Sequence, residues 1–512
     1  MSVDDYAALF ADQREFTRSG KPARLAHRIE QLRRLREMIV AESEAICEAV
    51  YKDLRRKSEW THLIEIGSVL NEIDHMISNV KEWMAPVAVS RTLVSVLDTP
   101  QIYKEPKGVV LIIGPWNYPI WTVLGPLVNI IAAGNTAIIK PSEVSSHVAE
   151  VYERIFSKTF PKNFLAVVQG GVHETTELLK QPFDHIVYTG NTHVGHIVME
   201  AAAKNLTTIT LELGGKSPAI VLADADIDVT ARRLVWGKLI NCGQTCIAPD
   251  YVLVVASVKA RLIAALIATT RQFYGDDAQR SDDYSRIINE RHLRRLSSML
   301  DKSNASVLFQ GGRIDVEDLF MPPVYLDATP DDESMKEEIF GPIFPIITVQ
   351  NLDDAIEHVN AGACPLAAYL FTREEQAVDA FVARTRSGGV CVNDVMIHAA
   401  TPGFHFGGFG KSGMGKYHGK AGFDEFTHEK PVLKRGFFGD GLAAGRYPPL
   451  TNEKLKQLSR MTSTRPIVPQ CVWRAISALP YFLIGVTLGY ISGRYWPNGR
   501  QITGGSPTYY RY

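Results

Sequence analysis

Cys246 ends the run Gly243-Gln244-Thr245-Cys246, which sets a thiol among amide and hydroxyl side chains after a helical stretch from Val229. A thiol is a useful nucleophile when its pKa is lowered or a base stands nearby. Most lone cysteines are small buried hydrophobes, so the run alone is a weak signal. Cys242, four residues earlier, would suit a two-thiol metal or redox pair, but no histidine or further cysteine completes metal spacing nearby. A single nucleophile is the preferred reading, and no metal is expected. Glu212 ends an apolar run at 208–211 and precedes Gly214-Gly215-Lys216. A half-buried carboxylate has the raised pKa that a water-activating base requires; the plain alternative is an ion pair with Lys216.

Other strings suit binding. Asn117 stands between prolines in Gly114-Pro115-Trp116-Asn117-Tyr118-Pro119, where its amide could donate to a developing oxyanion or simply stiffen a turn. Lys140 and Glu143 follow the run 137–139 and suit the hydroxyls of an adenosine ribose. Thr189-Gly190-Asn191, then Val194-Gly195, open a helix where backbone N–H groups can meet a pyrophosphate. This is not the G-x-G-x-x-G fingerprint, so as a glycine loop it is weak.

The positioning elements are legible from periodicity. Leu25, Ile29, Leu32, Leu35, Ile39, Ile46 and Val50 predict one long amphipathic helix over 21–54, and a second covers 63–83. Short apolar runs at 109–113, 137–139, 166–168, 186–188 and 208–211 alternate with helical stretches such as 194–204. That alternation predicts a parallel sheet covered on both faces. It restarts after Gly215, with runs at 219–222, 251–256, 345–349, 367–371 and 389–392, and predicts a second α/β domain. Residues 87–103 read as a hairpin arm that docks on a partner subunit.

The 512 residues carry 55 Lys and Arg against 56 Asp and Glu, which lacks the basic footprint of a nucleic-acid binder. Six irregularly spaced cysteines favour a reducing compartment, and Met1–Phe10 lacks a signal-peptide apolar region, so the body is expected in the cytosol. Residues 451–460 predict a helix capped by Thr451. Residues 475–493 then run without a charge, flanked by Arg474 and Arg494, with Trp473, Tyr495 and Trp496 beside them. As a helix this span reaches about 28 Å, near the roughly 30 Å core of a bilayer. A transmembrane tail anchor is the preferred reading over a buried helix or a dimer contact.

Taken in order, PWNYP, KPSE, TGN-x-x-VG, ELGGK, GQTC, EEIFGP and FGG-x-x-KSGMG resemble the aldehyde dehydrogenase superfamily, from the N-terminal helix to about Lys434. GQTCIAPDY, GMGKYHG and FDEFTH resemble its class 3 branch, in which an apolar tail marks the membrane-anchored fatty aldehyde dehydrogenases. The resemblance implies a Rossmann-like NAD(P)-binding domain (1–86 and 104–213) and an α/β catalytic domain (214–419). It also implies an oligomerisation arm (87–103 and 420–434), a tail helix and linker (435–474) and a transmembrane anchor (475–493). Its implied chemistry is oxidation of long-chain aldehydes through a Cys246 thioester. Asn117 and the Cys246 N–H would hold the oxyanion, and Glu212 would activate water. Lys140 and Glu143 would bind the adenosine ribose, Thr189, Gly190 and Gly195 the pyrophosphate, and Glu338 and Phe340 the nicotinamide ribose. The sequence does not divide the base role between Glu212 and Glu338. NAD is expected, NADP is possible, and the expected form is a homodimer on the endoplasmic reticulum with no nucleic-acid partner. A thiol esterase or a non-catalytic cofactor binder on the same scaffold is the alternative.

Overall fold

The computed structural model describes residues 3–91, 95 and 97–463. The chain forms two compact units, one of Met1–Ala85 with Lys104–Glu429, the other of Pro86–Tyr103 with the chain from Lys430 on. In the smaller unit β1 (Val87–Ala88) and β2 (Thr99–Pro106) pair antiparallel, Val87 opposite Ile102, and Thr427–Lys434 completes a three-stranded sheet. The hairpin expected at 87–103 is therefore present. The predicted tail helix spans Asn452–Ser463, with Thr451 Oγ1 accepting from the Lys454 N–H at 3.3 Å. The anchor expected at 475–493 lies outside the described residues, and among those described no helix is long and apolar enough to cross a membrane.

The larger unit is built on two sheets. β3 (Val109–Ile113), β4 (Thr136–Lys140), β5 (Leu165–Val167), β6 (His185–Thr189) and β7 (Thr208–Glu212) are parallel, in the order β7-β6-β3-β4-β5. Alternate residues enter different cores. Val110 and Ile112 pack with helices Leu25–Ala41, Gly67–Trp83 and Trp121–Ala133, whereas Val109, Leu111 and Ile113 pack with Tyr6, Leu9 and Phe10 of helix Val3–Arg18. Both faces are thus covered, as near-continuous apolar strands require. β3 lies between β4 and β6, so strand order reverses beside it and opens a crevice at the carboxyl ends.

The second sheet contains β8 (Pro218–Val221), β9 (Tyr251–Val255), β10 (Ser306–Gln310), β11 (Val324–Asp327), β12 (Ile343–Val349), β13 (Ala367–Phe371) and β14 (Gly389–Val392). Its order is β10-β11-β12-β9-β8-β13-β14, parallel except for β10 against β11. Periodicity had missed β10 and β11. β10 is an edge strand whose short apolar run, 307–309, is partly exposed, and in β11 a tyrosine and an aspartate interrupt the apolar run. β15 (Gly413–Met414) adds to the first sheet antiparallel to β7, with Gly413 opposite Glu212.

The single helix expected over 21–54 is two helices, Leu25–Ala41 and Ser43–Leu54. Glu42 between them leaves helical geometry (φ −105°, ψ 11°), and its carboxylate is held by Arg154 at 2.9 Å. The stretch expected over 63–83 begins earlier, in a π-helical segment, Thr61–Ile66, before Gly67–Trp83. The widened turn carries Glu65, which is fully buried in an ion pair with Arg56. Glu65 Oε2 also accepts from the N–H groups of Ile120 (2.8 Å) and Trp121 (2.9 Å), capping helix Trp121–Ala133 from outside. Glu65→Ala strands the Arg56 charge in the interior and is expected to cost about 3–5 kcal/mol of unfolding free energy in urea titrations.

Candidate active site

Asn117 sits in the loop that leaves the carboxyl end of β3, buried to 4%. Its Nδ2 donates to the Gln244 carbonyl at 3.1 Å. Its own carbonyl accepts from Arg56 Nη1 (3.1 Å) and Asn241 Nδ2 (3.0 Å). Asn241 Nδ2 also donates to the Gln244 carbonyl, at 3.1 Å. Gln244 in turn donates to the carbonyls of Asn241 and Arg286, and its Oε1 accepts from the Ile288 N–H. Tyr118 and Thr245 share a hydroxyl–hydroxyl bond of 2.9 Å. The two loops around Asn117 and Cys246 are therefore held as one piece.

That lattice sustains an unusual backbone. After helix Ile227–Leu239, Asn241, Cys242 and Gly243 take φ of 52°, 55° and 74°. A left-handed residue with a Cβ costs roughly 1–2 kcal/mol, so two in succession need support from outside the turn. Gly243 answers a tighter demand, because a Cβ there would stand 2.3 Å from the Gly341 carbonyl oxygen. The close approach it permits is to the Gly341 backbone.

Cys246 is half-buried, and its thiol is pushed up by burial and then by the carboxylates of Glu338 and Glu212. Cys242 is fully buried, pushed up to about 12 by burial, with its Sγ 3.9 Å from the Met321 carbonyl. It fits a packing role. Every described cysteine is free, and among the described residues no three His, Cys, Asp or Glu side chains are grouped to hold a metal.

Glu212, at the carboxyl end of β7, is 1% exposed, and neither carboxylate oxygen has a hydrogen-bond partner. Burial, then Glu425, holds its pKa well above the ordinary value. The ion pair with Lys216 does not form. Lys216 Nζ goes to Asp250 Oδ2 (2.5 Å) and to the carbonyls of Ser334 (2.8 Å) and Glu337 (3.0 Å). Glu338 is pushed up to about 8 by burial and by Asp250, although it accepts a hydrogen bond from the Gly215 N–H. It packs over Gly214, where a Cβ would stand 1.8 Å from Glu338 Oε2. Phe340 has φ 49° and meets the edge of Trp116 with ring centres 5.4 Å apart.

The remaining predicted residues flank the crevice beside β3. Lys140 ends β4, buried to 2%, with Nζ 2.7 Å from Glu143 Oε2. Thr189 ends β6, with its buried hydroxyl unpartnered. Gly190 donates to the Glu212 carbonyl at 3.0 Å. Asn191 caps helix Thr192–Ala203, accepting from the Val194 N–H at 2.9 Å, and Gly195 in that helix packs against Leu213. A cavity of 510 Å³ is lined by Thr192, Gly214, Gly215, Glu338, Cys364 and Lys411, among others. An orphaned hydroxyl, a helix N-terminus and a buried ammonium paired with the exposed Glu143 carboxylate at a strand-order reversal fit a dinucleotide. Arg56 and Glu65, which brace Asn117, were missed from sequence. A Glu between Ile64 and Ile66 was the available signal.

Residues 3–432 match the model of the aldehyde dehydrogenase family. Aldehyde dehydrogenase family 3 member A2 of Mus musculus is 45% identical over 443 residues, 86% of this chain and 91% of its own. The mouse protein named aldehyde dehydrogenase, dimeric NADP-preferring, is 45% identical over 438 residues, 85% of this chain and 96% of its own. The substrate-bound structure of Staphylococcus aureus AldH superposes with a TM-score of 0.86 at 42% identity, covering 89% of this chain and 99% of its own.

Gly243→Ala combines a left-handed Cβ with a backbone overlap and is expected to cost about 2–4 kcal/mol. Urea unfolding measures the loss, and slower alkylation of Cys246 by iodoacetamide would report the displaced turn.

Proposed function

The chain belongs to the aldehyde dehydrogenase family, in its class 3 branch, and on that premise we propose that Cys246, Asn117 and Glu212 carry its chemistry on long-chain fatty aldehydes. It is an NAD(P)-dependent oxidoreductase that converts aldehydes to carboxylic acids. The observation that carries the assignment is the pairing of a half-buried thiol with a buried carboxylate that has no hydrogen-bond partner.

Cys246, as thiolate, attacks the aldehyde carbon, and the carbonyl oxygen takes the electron pair. Asn117 spends one Nδ2 hydrogen on Gln244 and keeps the other for that oxyanion, beside the Cys246 N–H. One such donor contributes roughly 2.7–4 kcal/mol to the transition state. The nicotinamide, when bound, supplies the hydride acceptor that turns the thiohemiacetal into a thioester. Glu212 then takes a proton from the water that hydrolyses the thioester. Glu338 already accepts from Gly215, which supports Glu212 as the free base and Glu338, with Phe340, as the holder of the nicotinamide ribose. Lys140 and Glu143 hold the adenosine ribose, and Thr189, Gly190 and the helix containing Gly195 receive the pyrophosphate. Glu143 would repel a 2′-phosphate, which favours NAD while Lys140 leaves NADP acceptable.

In this reading the first sheet (1–86 and 104–213) is the cofactor domain and 214–419 the catalytic domain. The arm at 87–103 and 420–434 joins two copies. Residues 475–493 anchor the protein in the endoplasmic reticulum membrane with its body in the cytosol. Long-chain aldehydes partition into lipid, so an anchored enzyme meets them at high local concentration.

Hexadecanal with NAD should yield NADH from the wild type and none from Cys246→Ser; turnover of only short soluble aldehydes would sink the fatty-substrate assignment. Deleting residues 462–512 should move the protein from the membrane pellet to the supernatant, and a truncated protein that still pellets with membranes would count against the anchor.

A further inference from the structure

A polar seam runs along the β6–β7 ladder. His185 lies opposite Thr208 and Thr189 opposite Glu212, and strand alternation sets Thr208, Thr210 and Glu212 on one face of β7. Thr210 Oγ1 donates to Glu425 Oε1 at 2.9 Å and lies 2.9 Å from His185 Nε2. His185 Nδ1 lies 2.7 Å from Thr208 Oγ1 and 3.1 Å from Lys107 Nζ. Thr210 and His185 are fully buried, whereas Thr208 is exposed. Gly415 borders the seam, and a Cβ there would stand 2.7 Å from Thr210 Oγ1 and 2.8 Å from Glu425 Oε1. Bare backbone leaves room for that hydrogen bond.

The seam starts beside the carboxylate with an unsolved problem. Glu212 is buried without a partner, so a proton it takes from water has no direct way to solvent before the next turnover. Its charged neighbour is Glu425. The hydrogen-bonded network runs from Glu425, the carboxylate that acts on Glu212, to an exposed hydroxyl at the far end of the strand.

We propose that Glu425, Thr210 and His185 form the exit route for the proton that Glu212 removes from the hydrolytic water, ending at the exposed Thr208 on the amino end of β7. This rests on the reading of Glu212 as the water-activating base. The water oxygen bonds to the thioester carbon, the C–S bond breaks with its electron pair on Cys246 Sγ, and the water proton goes to Glu212. Through one bridging water it passes to Glu425; the Thr210 hydroxyl, which donates to Glu425 at rest, then turns to His185 Nε2 and gives its proton there as it takes the one on Glu425. His185 releases its Nδ1 proton toward Thr208 and solvent, so no charge stays in the interior. Burial and the nearby Lys107 disfavour the imidazolium, which drives that release.

Thr210→Val removes the relay hydroxyl while keeping a similar shape. With NAD and a soluble aldehyde, rapid-quench mass spectrometry should show the acyl-enzyme forming as in the wild type. It should then decay on the order of a hundredfold more slowly, the low end of what a positioned proton-transfer group contributes. Thr210→Ser should restore the decay, and added imidazole should accelerate it in His185→Ala. Unchanged decay in Thr210→Val, or slow decay that Thr210→Ser leaves unrepaired, overturns the relay. A wild type that forms no acyl-enzyme overturns the Cys246 and Glu212 assignment beneath it instead.

Discussion

The hydrogen-bond lattice among Asn117, Asn241 and Gln244 is the constraint on which the site depends. It ties the end of a strand in the first sheet to a left-handed turn that follows a helix of the second. Without it, two consecutive non-glycine residues at positive φ would relax, and the thiol four to five residues on would lose its aim. The brace extends further inward. Arg56 holds the Asn117 carbonyl and is itself held by Glu65, which also caps the helix beginning at Trp121. A π-helical segment, a buried ion pair, an amide lattice and a strained turn are therefore links in one load path. Each is costly alone, and each is stabilised by the next.

Desolvation governs the chemistry. It heads the causes that raise Cys246, Glu212 and Glu338. In such a site the charged forms are disfavoured, so each of these acids holds its proton more tightly than it would in water. The two carboxylates differ in their surroundings more than in their burial. Glu338 rests on the bare backbone of Gly214-Gly215 and accepts from one N–H, whereas Glu212 has no partner among the described residues. That asymmetry supports the proposed holding role for Glu338 and the proposed base role for Glu212.

Strands with continuous apolar residues were legible because burial on both faces demands them; β3 and β13 fall where the apolar pattern puts them. β10 and β11 were not, since an edge strand is half-exposed and Tyr325 and Asp327 interrupt the apolar run of β11. The helix break at Glu42 also escaped notice, because the apolar stripe continues across it and a distant arginine holds the kink. Lys216 illustrates the same limit at the site. Sequence offered it Glu212, four residues away, and the fold gave it Asp250 instead.

The sequence by itself determined the types of the reacting groups, the alternation of strands and helices, and the strings whose joint occurrence marks the family. These are local properties, set by residue type and short-range period. Only the tertiary structure decided which carboxylate stands unpartnered, that Gly243 yields to Gly341, and that His185, Thr210 and Glu425 line one seam. Those facts depend on contacts between residues far apart in the chain, and such contacts form only when the sheets close and exclude water.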